Sequence, residues 1–214
     1  MMSLPGPYLP RNCPTEDAAC PLIVLEGVSG IGKSTLAQLL AEQLGAQSLH
    51  TLSEPHAKWA RTVKGRLRPL PQFAFYLSGL LHASDTARTL RRNGPVIADR
   101  YVSSVIACHA AVHRVPVENV AELLAPFRPY LLRPKHTFYL RCSEQTLRDR
   151  MARKADIKPD DTELFSVPGR LPRLLANFQQ VSESDPSAVT VDTDGRSPAE
   201  LADIILDTMR GTRA

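Results

Sequence analysis

The 214-residue sequence predicts a three-layer α/β fold: a five-stranded parallel sheet with helices on both faces and a small lid. Two observations carry that expectation. Short apolar runs, each too brief for a helix and bounded by turn residues, recur along the chain and alternate with amphipathic helical segments, the pattern of a sheet buried on both faces. Hydrophobic residues at 43% and charged residues at 22% suit one globular core of ordinary size.

Residues 1–20 carry Pro5, Pro7, Pro10 and Pro14 without any period and read as a flexible leader, leaving 21–214 as a single domain. Leu22-Ile23-Val24-Leu25 is the first strand. It runs into G-x-x-x-x-G-K-S from Gly27 to Ser34, and a helix follows with Leu36, Leu39, Leu40 and Leu44 on one face and Gly45 as its stop. A strand before the glycine loop and a helix after it make this a Walker A motif. Its glycines let the backbone N–H groups of Gly27, Val28, Ser29, Gly30, Ile31, Gly32, Lys33, Ser34 and Thr35 turn toward phosphate oxygens. Lys33 reaches the β- and γ-phosphates, and the Ser34 hydroxyl ligates Mg²⁺. The fold expected is thus that of P-loop NTPases, with Mg²⁺–ATP in the loop.

Residues 48–53 read as a second strand ending at Glu54-Pro55. The segment 56–71 is basic (Lys58, Arg61, Lys64, Arg66, Arg68) and reads as an irregular loop, either solvated or charged for an anionic acceptor. A long helix spans 72–92 with Phe73, Leu77, Leu80 and Leu81 as its stripe; Phe73, Phe75 and Tyr76 read as core by default, with one of them a candidate to stack on a base. Val96-Ile97-Ala98 is the third strand and ends in Asp99-Arg100-Tyr101. Helices follow over 103–114 and 117–127, then a strand over 136–141 and a helix capped by Ser143 with Arg148, Arg150, Arg153 and Lys154 on its polar face. A polar interruption over 155–169 forms, with its flanks, a lid at about 151–170. A helix over 171–181, a strand over 189–191 and a last helix opened by the Ser197-Pro198-Ala199-Glu200 capping box complete the chain.

The formal charge of +4 suits a small anionic substrate and is too diffuse for nucleic acid. There is no membrane-length apolar run and no signal-peptide h-region. Cys13, Cys20, Cys108 and Cys142 are scattered without metal spacing, so reduced thiols and a cytoplasmic location are expected.

The chain resembles the thymidylate kinase family of nucleoside monophosphate kinases and, beyond it, the deoxynucleoside kinases. The likeness rests on LEGVSGIGKST, on Glu54-Pro55, on DRYVSS from Asp99 to Ser104 and on the arginine-rich helix before residue 155. It implies that Lys33 and Ser34 meet ATP and Mg²⁺ and that Asp99 holds the metal's water shell. Arg100 would bridge the acceptor's phosphate to the transferred group, Ser104 would line the acceptor side, and Arg150 and Arg153 would act as lid arginines on the γ-phosphate. For Arg148 and Lys154 a solvated face is expected. Asp194-Gly195-Arg196 would pass near the adenine, and a homodimer is possible.

The sequence also departs from the family. Ser29 replaces an acid inside the loop, Ser53 replaces an arginine before Glu-Pro, Gly79 stands for a base-reading arginine, and His109 for a glutamine. Glu54-Pro55-His56-Ala57-Lys58-Trp59 resembles the E-P-x-x-x-W of deoxynucleoside kinases, in which the glutamate is base to a 5′-hydroxyl. The expected activity is phosphorylation of a nucleoside monophosphate with altered base specificity. The alternatives are a nucleoside kinase with Glu54 as base, and a regulatory P-loop ATPase.

Overall fold

The structure, a computed structural model, describes residues 20–211 apart from 64, 156 and 158. The expected leader up to residue 19, with Cys13, and Lys64 lie outside the described residues, as do the side chains of Arg61 and Asp160.

The elements run β1 (Leu22–Glu26), α1 (Lys33–Leu44), β2 (Gln47–His50), α2 (His56–Val63), α3 (Pro69–Leu90), β3 (Val96–Asp99), α4 (Val102–His113) and α5 (Val117–Leu124). After a 3-10 helix (Ala125–Tyr130) come β4 (His136–Arg141), α6 (Glu144–Ala152), α7 (Pro159–Ser166), α8 (Arg170–Glu183), β5 (Ala188–Asp192) and α9 (Pro198–Gly211). The strands form one five-stranded parallel sheet, as the sequence predicts, and the structure sets their order as β2-β3-β1-β4-β5.

β1 is buried along its whole length because helices cover both faces. Leu22 and Val24 pack with Phe73, Leu80 and Ile106 of α3 and α4, whereas Ile23 and Leu25 pack with Leu36 and Leu40 of α1 and Ile205 of α9. A period-2 element between two helix layers must be apolar on both sides, which accounts for the unbroken Leu-Ile-Val-Leu run. The register pairs Leu25 of β1 and His50 of β2 with Asp99 of β3. The carboxyl ends of these three strands are therefore level, and the segments that follow them open onto one crevice.

Four expectations change. The basic segment is not an irregular loop, since residues 56–63 form α2, with Lys58 and Trp59 exposed. Its charges hid a helix-compatible run, and Pro69 then starts α3 at the first helical position, where a missing N–H does no harm. The second strand leaves the ladder at His50, and Thr51 turns its hydroxyl onto the Arg100 carbonyl at 2.5 Å. The helix expected to reach residue 127 stops at Leu124, because Pro126 and Pro129 permit only the 3-10 turn. The polar interruption contains α7. Both expected caps form: Ser143 Oγ accepts from Thr146 N at 3.2 Å, and the Glu200 carboxylate accepts from Ser197 N at 2.8 Å.

Candidate active site

The phosphate loop begins where β1 ends. Gly27 (φ 138) passes so near β4 that an added Cβ would lie 2.7 Å from the Leu140 carbonyl oxygen, and Gly30 (φ 82) would meet the Met151 sulfur at 2.6 Å. Both positions have a left-handed backbone that a side chain strains, and at Gly27 the β4 backbone also leaves no space for a Cβ. Lys33 is buried, and its Nζ donates to the carbonyls of Gly27 at 2.9 Å and Val28 at 2.7 Å. Burial, aided by the charge of Arg100, lowers its pKa to about 7; Asp99, Glu26 and Cys108 act in the opposite direction. Ser34 Oγ donates to Asp99 Oδ2 at 2.5 Å, and Asp99 Oδ1 is buried with no partner among the described residues.

The turn after β3 carries Arg100 in a left-handed conformation (φ 73) that a residue with a Cβ seldom adopts. Its guanidinium donates to the Gly27 carbonyl at 3.3 Å and to Ser104 Oγ at 3.2 Å, so it lies against the phosphate loop. Ser104 in turn donates to Glu26, which is fully buried. Burial raises the pKa of Glu26 against the hydrogen bonds from Ser104 and Tyr101 and the charge of Arg100.

α6 and α7, which flank and enter the segment expected to be a lid, contact the loop. Arg150 donates to the Ile31 carbonyl at 3.0 Å and to the hydroxyl and carbonyl of Thr193 at 2.8 Å each. Arg153 is exposed and bonds back to the Asp149 carbonyl. Asp161 of α7, almost wholly buried, accepts from the Ser29 hydroxyl and pairs with Lys154 at 2.5 Å, so Lys154 is not on a solvated face as expected. Arg148 is half exposed, pairs with Glu144 and lies 4.4 Å from the Phe165 ring centroid. Asp194 accepts from Ser143 N at the start of α6.

On the acceptor side Glu54 is largely exposed and faces Lys58 at 3.7 Å. Phe73 is buried with its ring edge-on to His109 at 5.5 Å, and His109 lies 4.4 Å from His113, which bonds to Gln72. Burial, and secondarily His113, lowers the His109 pKa to about 4. Tyr76 is partly buried, edge-on to Phe75. Gly79 has no room to spare: a Cβ there would lie 2.6 Å from Leu52 Cδ2 and 3.5 Å from the His56 ring.

The structure thus brings Lys33, Ser34, Asp99 and Arg100 together around the loop and adds Arg150 from α6. Glu54 and Arg153 stand in solvent. Sequence reasoning missed Glu26, Thr51, Asp161 and Thr193. A carboxylate ending an otherwise apolar strand was a signal for Glu26; for the other three no local pattern exists.

A loop for phosphates after one strand, and a carboxylate and an arginine after its neighbour, define a P-loop phosphotransferase. The family model "Thymidylate kinase" matches residues 25–196, and the chain belongs to that family. Among curated relatives it is 25% identical over 186 residues to a deoxyguanosine kinase of Bacillus subtilis, covering 83% of this chain and 87% of that one. A thymidylate kinase structure from Candida albicans superposes with a TM-score of 0.76 at 19% identity, over 91% of this chain and 93% of the other. A deoxyadenosine kinase structure from M. mycoides gives 0.65 at 18% identity, over 89% and 99%. The chain is a nucleotide or nucleoside kinase by family, which sets aside the reading as a regulatory ATPase. Among the described residues no helix is long and apolar enough to cross a membrane.

Proposed function

We propose that the chain transfers the γ-phosphoryl group of ATP to a nucleoside monophosphate. The observation that carries this reading is the state of the two candidate acceptor groups. Arg100 is held against the phosphate loop by Gly27 and Ser104, whereas Glu54 is 59% exposed and turned to Lys58. An anionic acceptor needs a placed cation; a neutral hydroxyl needs a placed base.

Residues 21–214 act as one kinase domain, with a lid at about 151–170. The loop amides and the N-terminus of α1 hold the triphosphate, and Lys33 supplies positive charge at the transferring end. Ser34 Oγ and the unpartnered Asp99 Oδ1 fit a hard divalent cation that takes its remaining ligands from phosphate and water. Bound Mg²⁺ would neutralise charge on the β- and γ-oxygens. Arg100 bridges the acceptor's phosphate and the moving group, and Arg150 holds α6 against the loop. Phe73, Tyr76 and Ser104 line the acceptor side. Arg153 becomes useful only when the lid brings it inward, and closure excludes water from the transfer. The enzyme works in the cytoplasm on small molecules, as a monomer or homodimer.

The second reading, a nucleoside kinase using Glu54 as base, is favoured by the likeness to deoxyguanosine kinase. ADP release from Mg²⁺–ATP across nucleosides and their 5′-monophosphates separates the two. Turnover is expected with monophosphates and silence with nucleosides. Glu54→Gln is expected to lower kcat less than about tenfold; a fall of about 10²- to 10⁴-fold would identify a general base and overturn the first reading.

A further inference from the structure

The phosphate loop and the arginine turn are joined by a residue that lies in neither. Glu26 closes β1 and is fully buried. Its Oε1 accepts from Tyr101 N at 2.8 Å and Ser104 N at 3.0 Å, and its Oε2 accepts from Ser104 Oγ at 2.5 Å. These donors are the first groups of α4, whose N-terminus has no side-chain cap of its own from Tyr101. The carboxylate of a neighbouring strand thus does the work of a local cap.

Arg100 immediately precedes these groups. Its left-handed backbone persists because it is held on every side: its own N–H donates to the Leu25 carbonyl at 3.0 Å, its carbonyl accepts from Thr51, and the next N–H belongs to Glu26. The guanidinium is fixed in the same way, since the Ser104 hydroxyl that accepts from Arg100 donates its own proton to Glu26. A carboxylate without a proton can only accept, so it leaves Ser104 Oγ with lone pairs for Arg100 alone. An amide at position 26 would offer an N–H to that oxygen and reverse the arrangement.

We propose that Glu26 is a positioning residue for phosphoryl transfer, holding the Arg100 backbone in its left-handed turn and, through Ser104, aiming the guanidinium at the phosphate loop. The role rests on the kinase reading and is exerted through Arg100, with no contact to substrate required.

A mutant cycle tests it. Wild type, Glu26→Gln, Arg100→Ala and the double variant are compared for kcat, for KM of ATP and acceptor, and for melting temperature, using whichever acceptor the wild type turns over. Glu26→Gln is expected to lower kcat by about ten- to a hundredfold, the scale of a misplaced catalytic group, while KM for ATP changes little. In the Arg100→Ala background the same change is expected to cost almost nothing more in kcat, since there is no guanidinium left to aim. Losses that multiply in the double variant, or an unchanged kcat in the single one, would overturn the proposal. If Glu26→Gln does not fold, Ser104→Ala enters the same cycle, because it removes the shared hydroxyl and leaves both backbone bonds of Glu26. A wild type silent with every acceptor would reject the kinase reading instead. The ¹⁵N resonances of the Arg100 guanidinium then decide the positioning role. A fixed side chain in wild type that becomes mobile in Glu26→Gln supports it, and identical spectra overturn it.

Discussion

Most polar groups of the proposed donor half, around β1, the phosphate loop and the turn after β3, are hydrogen-bonded to one another. Lys33 lies inside its loop, Ser34 is on Asp99, Arg100 on Gly27 and Ser104, and Arg150 on Ile31 and Thr193. Asp99 Oδ1 and Tyr101 Oη are buried without a partner among the described residues. In the proposed acceptor half, between α2, α3 and α4, the pattern is looser. Ser53 Oγ and His56 Nδ1 are buried without a partner among the described residues, while Glu54 and Trp59 stand in solvent. His56 stacks on His82 and bonds to Ser78. The contrast follows from what each half must recognise. A triphosphate has the same geometry in every reaction, so backbone amides and a few cations suffice, whereas an acceptor is read by side-chain shape; of the four departures from the family pattern, Ser53, Gly79 and His109 fall outside the loop and Ser29 within it.

The sharpest way to break the comparison is in the donor half. Lys33→Ala should lower kcat by about 10²- to 10³-fold with the fold retained, as expected for removing one placed electrostatic group; steady-state kinetics and a thermal melt check both parts. A modest loss would mean that the engaged donor half is not where transfer is stabilised. Next comes the packed floor of the acceptor half. Gly79→Leu must displace Leu52 and the His56 ring, and should destabilise by about 1–3 kcal/mol, the ordinary range for overpacking. The acceptor KM should rise while KM for ATP holds, since Gly79 is on α3 and not on the loop. Equal rises in both KM values would show that the halves are not separable.

The smallest effect is on pH-dependent stability. His109 has a folded pKa of about 4, below the usual 6.5 of a histidine, because it is buried beside Phe73 with His113 adjacent. A depressed histidine pKa means that the unfolded chain binds the proton more tightly. Its destabilising influence therefore grows as pH falls from about 6.5 toward 4, and levels off below that. His109→Gln should lose less stability between pH 7 and pH 5 than wild type in urea unfolding. An identical pH slope would place the histidine outside the buried acceptor wall.

The same division explains what could be read from the sequence. The Walker A spacing and the Asp99-Arg100 strand end are local patterns dictated by phosphate chemistry, and both fall where they were expected. The parallel five-stranded sheet follows from strand–helix alternation, whereas its order, with β1 between β3 and β4, has no local signature. The segment 56–63 was misread because surface charges outweighed its helix-compatible residues, and Lys154 because its partner Asp161 belongs to another helix. Thr51 and Thr193 owe their roles to atoms distant along the chain, Arg100 and Arg150, and no local spacing encodes such a meeting. Glu26 lay between these cases: its place in an apolar strand was visible, and its partners at Tyr101 and Ser104 were not.

The central place of β1 also constrains the order in which this chain can fold. Its neighbours are not the next strand to be synthesised but β3, through Leu22↔Val96, and β4, through Ile23↔His136. Closing those pairings costs loop entropy before any contact returns it, so the topology favours slow folding. During synthesis the phosphate loop leaves the ribosome before β3 and β4, so the strand that carries it stays unpaired on one side until β4 has emerged. A nascent chain that ends short of residue 141 would hold every residue of the Walker A motif and none of its finished geometry.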